Sequence, residues 1–530
     1  MRHLLYATLL LCQLSVVLTP AVAQDDYYRG LSSSMEDFGT VLQEIATKYV
    51  EDVGPEEVVR AGIRGMLADL DPYSVYLVDD ERESVDRLAT GYYVGLGFSV
   101  ARVDSALVLS DVVPDFPAFR AGLRRGDRLI AVDGALVASR PVDSVRRFTR
   151  GPEGSACRLT VVRHGRPDTL ELTAVRERIP LRPISVVERL ADGVGYIRID
   201  QFSRRVATQL TRAIDSLQTI EPLTGLILDL RDNPGGLLEG AIQMSEIFLP
   251  YGTLVVSTRG ANAGNTDHTT TAPAVFPDLP LVILVNASTA SSSEIVAGAL
   301  QDLDRAVVVG SRTFGKGLVQ TVRPLRNGAT LKLTTSRYYT PSGRCIQEEG
   351  LRSDVGRDQT YSTRNGRPVR AGHGITPDIM VKPNGDSHGV PATLQALMRN
   401  WVVADYVSTC TPTPPSAEGF VACVSAIPAV RLPGCATLAA VATETPTDST
   451  VSSLVQQAIE AQRAYVVREL VTHRTAVEAV LQAEAVSRMR GRDELTRLLL
   501  PYDPDVRVGQ DVLTTRRYRA LLRGESASDQ

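Results

Sequence analysis

Between residues 178 and 385, short and mostly apolar runs alternate with amphipathic stretches, and this alternation constrains the fold more than any other feature of the chain. The runs are Gly195–Ile199, Leu226–Leu230, Leu281–Val285 and Ala306–Val309; residues 207–220, 238–248 and 293–300 between them carry helical spacing. Apolar runs of this length without a polar face read as strands buried on both sides. Strands joined through helices make a largely parallel sheet, with ligands held by loops beyond the carboxyl ends of the strands.

The chain has 530 residues, enough for several domains. Arg2 and His3 precede an apolar run, Leu4 to Val17, and then Ala21-Val22-Ala23. This reads as a signal peptide over residues 1–23, cleaved after Ala23, so the mature protein is expected to be exported, periplasmic or otherwise extracytoplasmic. The run is short for a membrane span. Residues 24–88 read as a helical region with stripes at Phe38, Val41, Leu42, Ile45 and Tyr49 and at Val58, Ile63, Met66 and Leu67, ended by Asp71-Pro72. Residues 89–177 read as a small β-domain: a Gly-containing loop enters a strand over Val94–Val100, Asp133-Gly134 marks a hairpin turn, Val142–Phe148 is a short helix, and a last hairpin crosses His164-Gly165-Arg166. Residues 178–385 hold the alternating core. Residues 386–530 read as a mainly helical extension, Pro- and Thr-rich with few helical signals from Val407 to about 448, then one long helix from Val451 to about Met489. Its stripe (Leu454, Ala458, Ala461, Tyr465, Leu470, Val477, Val480) either packs on the core or forms a dimer or adaptor interface.

The net charge of −4 argues against a general nucleic-acid binder or a polybasic membrane surface. Within it, only Lys48, Lys316, Lys332 and Lys382 are lysines; the other 53 cations are arginine, which cannot accept a proton. Five cysteines follow the signal peptide, and Cys410 with Cys423 is the favoured disulfide. The histidines are scattered and there is no H-E-x-x-H, so no metal site and no cofactor are expected.

Three blocks stand at the predicted loops. Leu228-Asp229-Leu230-Arg231-Asp232-Asn233-Pro234-Gly235-Gly236 ends a buried strand in an unusual turn, whose N–H groups suit an oxyanion. Ser288-Thr289-Ala290-Ser291-Ser292-Ser293-Glu294 opens a helix; serine there is either an N-cap or a nucleophile near helix N–H groups. Thr313-Phe314-Gly315-Lys316-Gly317 sets a lysine between glycines after a buried strand, where desolvation would lower its pKa and make it a general base; a solvated loop lysine is the alternative. No histidine lies in or beside these blocks and there is no G-x-S-x-G, so a Ser–Lys pair is better supplied than a Ser–His–Asp triad.

Two resemblances follow from these residues. Gly95-Leu96-Gly97-Phe98, with Ala121-Gly122-Leu123-Arg124-Arg125-Gly126-Asp127 and Val132-Asp133-Gly134, resembles a PDZ domain, whose loop holds a C-terminal carboxylate while a strand edge accepts the peptide. The three blocks in this order, with Leu70-Asp71-Pro72-Tyr73-Ser74, Leu333–Arg344 and Gly374-Ile375-Thr376-Pro377-Asp378, resemble the C-terminal processing peptidases, or tail-specific serine proteases. That resemblance implies a crotonase-like core with an inserted PDZ domain. It implies Ser291 as nucleophile, Lys316 as base, Gln320 orienting the lysine, and Ser292 with Gly235 or Gly236 as oxyanion donors. Ser292 stands where the family usually has alanine. The implied substrates are proteins with apolar C-termini; an adaptor or activator and self-association are left open. An inactive PDZ adaptor and an acyl-CoA enzyme on the shared fold are the competing readings.

Overall fold

The computed structural model describes residues 28–78, 87, 90–103, 106–163, 166, 168–219, 221–347, 359–381, 390–410, 414–444 and 449–525. Residues 1–23, expected as a signal peptide with its cleavage site, part of the His164 turn and Lys382 lie outside them. The chain divides into two compact units, one of residues up to Val78 with Gln320–Thr334, the other holding everything else.

In the first unit, a helix spans Pro55–Ala68, with proline in its first turn and Glu56 and Glu57 facing the positive end of its dipole. Its Leu67 joins Tyr76 and Ala329 in a small core. Val75–Leu77 pairs antiparallel with residues 330–332. The Asp71 carboxylate closes the Asp-Pro-Tyr-Ser turn by accepting from the Tyr73 and Ser74 amides at 2.7 and 2.8 Å and from the Ser74 hydroxyl at 2.8 Å. Residues 28–48 are helical; of the stripe there, Phe38, Val41 and Tyr49 are exposed and Leu42 and Ile45 half-buried.

In the second unit, residues 92–180 form the β-domain. Tyr92–Gly95 is itself a strand, paired with Glu177–Pro180, and the chain turns at Leu96-Gly97 into β1 (Phe98–Val103). A Cβ on Gly97 (φ +80°) would fall 2.7 Å from Phe116 Cβ, so only glycine fits this turn. Asp133 and Gly134 both take positive φ, as a type I′ hairpin turn requires. Helix α1 (Val142–Thr149) covers the sheet edge.

The core sheet runs Ile184–Arg189, β2 (Val194–Ile199), β3 (Gly225–Asp229), β4 (Leu281–Val285), β5 (Val307–Gly310), Ile379–Met380, parallel from β2 onward. Alternate residues serve opposite faces. Leu226, Leu228, Leu281 and Ile283 pack with helices Val206–Gln218, Leu238–Glu246 and α2 (Ser292–Asp302). Ile227, Val282, Leu284 and Val309 pack with Val506, Val512 and Leu513 of α3 (Pro504–Thr514). The second face of the core sheet is therefore built by the C-terminal extension.

Several expectations for that extension need correction. The long helix is two, Ser449–Thr472 and Arg474–Arg490, broken at His473. Of the expected stripe, Leu470, Val477 and Val480 are buried; before them the buried positions are Val455, Ile459 and Val466, one residue on from the expected Leu454, Ala458 and Tyr465, which are exposed. The stripe packs within a helical cluster of its own. Helices Ala417–Ala426 and Ala436–Glu444 occupy the Pro- and Thr-rich stretch because Phe420, Val424 and Cys435 feed that cluster. Cys410 and Cys423 stand as free thiols; Cys410 Sγ donates to the Tyr406 carbonyl at 3.3 Å, one turn back on its own helix.

Candidate active site

β3, β4 and β5 end side by side, and the three blocks follow their carboxyl ends. The first turn is anchored by Asp229, which is fully buried. Arg231 grips both its oxygens, at 3.0 and 2.7 Å, and the Tyr196 hydroxyl donates to it at 2.6 Å. Burial alone would raise the Asp229 pKa; the guanidiniums of Arg231 and Arg198 outweigh it and hold the group at about 2. Arg231 also reaches Asp503 and Asp505, at 3.0 and 2.8 Å, so the start of α3 braces this turn.

The turn continues into Asn233-Pro234-Gly235-Gly236. Asn233 Nδ2 donates to the Ile199 carbonyl at 2.8 Å, and Asn233 Oδ1 accepts from the Gly235 amide at 2.9 Å. The glycines are steric requirements. A Cβ on Gly235 would sit 2.9 Å from Ser291 Cβ, and one on Gly236 would sit 2.1 Å from the Phe202 carbonyl oxygen. The turn thus lies directly against the serine block.

Ser291 has φ +59° and ψ −119°, a backbone conformation that costs a non-glycine residue of the order of 1–3 kcal/mol and persists only when neighbours enforce it. The three serines differ. The Ser292 hydroxyl donates to the Gly236 carbonyl at 3.0 Å and the Ser293 hydroxyl to the Asn233 carbonyl at 3.1 Å, and both residues are buried. Ser291 is partly exposed.

Glu294 connects the second and third blocks. Its Oε2 accepts from the Ser291 amide at 2.8 Å and from the Lys316 amide at 2.9 Å; its Oε1 accepts from Thr313 Oγ1 at 2.5 Å and from the Gly315 amide at 2.7 Å. Complete burial pushes this carboxyl upward, against the four donors. The lysine loop is pinned further by the Phe314 amide donating to the Thr289 carbonyl at 3.0 Å and by the Gly317 amide donating to Gln347 Oε1 at 2.9 Å. Gln320 belongs to the first unit, where its Nε2 donates to Thr334 Oγ1 at 3.5 Å.

Two sequence blocks without an assigned role prove to be braces. The buried Arg344 pairs with Asp302 at 2.7 Å, at the end of α2. The Ile375 amide donates to Thr313 Oγ1 at 2.6 Å, which fixes the lysine loop from behind. Glu294 and Thr313 were visible as members of their blocks, but spacing alone shows Glu294 only as a capping-box residue. In the β-domain, Gly95, Leu96, Gly97 and Phe98 line one end of a cavity of about 200 Å³ beside α1. Among the described residues no cluster of His, Cys, Asp and Glu could hold a metal ion, and no helix is long and apolar enough to cross a membrane.

Comparison with known proteins assigns this geometry. Residues 193–357 match peptidase family S41, residues 108–163 a PDZ domain, and residues 15–81 the N-terminal domain of the activating protease CtpB. A carboxy-terminal-processing protease of Bartonella bacilliformis is 36% identical over 325 residues, which are 60% of this chain and 74% of that protein. The chain belongs to the carboxy-terminal-processing proteases. It is a serine-type endopeptidase of mixed α/β architecture with a PDZ domain. CtpA of Bacillus subtilis, a further processing protease, is 32% identical over 324 residues, 61% of this chain and 69% of that one. A solved photosystem II D1 C-terminal processing protease aligns with 67% of this chain and 89% of its own, at 26% identity and a TM-score of 0.40.

Proposed function

We propose that this processing protease is exported and cuts proteins near their C-termini with Ser291 as nucleophile and Lys316 as general base, on a crotonase-like core. The observation that carries the dyad is the shared acceptor: one oxygen, Glu294 Oε2, takes the amides of both residues, while Ser291 alone of the three serines is partly exposed and held at positive φ. In this reading, neutral Lys316 takes the Ser291 proton as Oγ attacks the peptide carbonyl, and the protonated amine returns it to the leaving nitrogen. Water then hydrolyses the acyl-enzyme. The oxyanion is received by the amides of Ser292 and Gly236. Gly235 offered the alternative, but its amide already donates to Asn233. Each such donor is worth about 3–4 kcal/mol.

The PDZ groove takes the substrate's C-terminus, and residues 1–23 direct export. Activation by an adaptor is consistent with the CtpB-like N-terminal match, and self-association is left open. The test is cleavage of an unfolded protein ending in apolar residues. Ser291→Ala and Lys316→Ala should abolish it. Full cleavage by Ser291→Ala would overturn the assignment, and loss only in Ser293→Ala would move the nucleophile two residues on.

A further inference from the structure

The PDZ groove carries its charge in register with an added strand. Arg102, near the far end of β1, donates to the carbonyls of Ala138 and Arg140 just before α1 begins, the first at 3.0 Å. The glycine turn lies at the opposite end of β1. Helix α1 therefore runs antiparallel to β1, and its C-terminal end, Thr149 and Arg150, lies at that turn. The cavity between them is lined by both.

A peptide that adds to β1 with its carboxylate at the turn must run antiparallel to β1. Its last and third-last side chains then share the groove face, about 6.6 Å apart at ~3.3 Å per residue. Arg146 and Arg150 both line the groove, four residues apart on one helix face, about 6 Å along the axis at ~1.5 Å per residue. The two spacings match. Arg150 stands level with the terminal carboxylate, and the exposed Arg146 stands level with the side chain two residues before the end. Leu96, Phe98 and Val145 supply an apolar seat for the last side chain, and the described lining contains no acidic group. The described lining carries three guanidiniums, Arg87, Arg146 and Arg150; Arg146 is the one on the helix level with the third-last side chain, where an acid would answer it.

We propose that this groove selects substrate tails with an apolar last residue and an Asp or Glu third from the end, with Arg146 as the specificity-determining residue. The inference rests on the reading above that the groove takes substrate C-termini. The test uses the full chain carrying Ser291→Ala and labelled peptides that differ only in Glu or Gln at the third-last position, followed by fluorescence anisotropy. The Glu peptide should bind about fivefold tighter at low salt, the scale of a guanidinium–carboxylate pair on a solvated wall, and the ratio should shrink as salt rises. Adding Arg146→Glu should reverse the preference towards a Lys peptide, a gain that a misfolded domain could not show. Equal binding of the Glu and Gln peptides, or an unreversed preference in Arg146→Glu, overturns the inference alone. If amidating the peptide C-terminus leaves binding unchanged, the groove does not hold chain ends, and the reading beneath the inference falls with it.

Discussion

Glu294→Gln is the sharpest probe of how the site is assembled. The carboxylate accepts four hydrogen bonds, two on each oxygen. Glutamine keeps one carbonyl oxygen, so at most two survive, and its NH2 is turned towards the donors it replaced. Two lost bonds to a charged acceptor cost about 1.5–3 kcal/mol each, and the relief of burying a neutral group offsets part of that. A net loss of about 2–4 kcal/mol remains, divided between folding and the placement of the two amides. If half reaches the transition state, kcat falls about tenfold, since ~1.4 kcal/mol is a factor of ten. The assay is single-turnover acylation by an activated ester, corrected for the folded fraction by circular dichroism. Thr313→Val removes one donor and should show a smaller drop. A Glu294→Gln enzyme that is folded and acylates at the unaltered rate would refute the idea that this carboxylate aligns the site.

Gly236→Ala should eliminate activity while the PDZ groove still binds peptide, because the new methyl would meet the Phe202 carbonyl at 2.1 Å; normal turnover would refute the steric argument. Leu513→Ala should lower the stability of the catalytic unit by about 2–4 kcal/mol, measured by urea denaturation, because this side chain lies within 3.2 Å of where a Cβ on Gly225 would stand. Asp229 predicts an acid limb. Its folded pKa, about 2, lies below the ordinary 3.8, so its contribution is present above about pH 4 and is lost as pH falls through 2. The shift corresponds to about 2 kcal/mol, and Asp229→Asn should flatten that limb in a pH series of unfolding midpoints.

The core was legible where burial is complete. Leu226–Asp229, Leu281–Val285 and Val307–Val309 are buried at every position, and nothing but a central strand reads that way. The serine and lysine blocks stood out but each kept two readings, since serine at a helix start is also an ordinary N-cap and a lysine between glycines can be a solvated loop residue. Long-range partners were not legible. Glu294 bonds to residues 19–22 positions later, and an acidic residue at the third position of a helix looks like an ordinary cap. Amphipathic patterning shows that a helix has an apolar face, not what covers it. The helical stripe through Phe38 and Val41 stays exposed, whereas α3, a short helix near the end of the chain, covers a sheet. In the long helical stretch, Leu470, Val477 and Val480 were legible, the break at His473 was not, and over the first turns the buried set is Val455 and Ile459 rather than Leu454 and Ala458.

The brace between Arg231 and Asp503 spans 272 residues of chain. Closing so long a loop is slow and late, and a growing polypeptide emerges from its N-terminus, so Ser291 exists well before the segment that steadies the turn beside it. Until residues 503–513 arrive, Ile227, Val282 and Leu284 lack their cover and Asp229 with Arg231 lacks its outer clamp. A chain cut short before residue 503 would still carry Ser291 and its neighbours but would leave the Asp229 turn without its outer clamp.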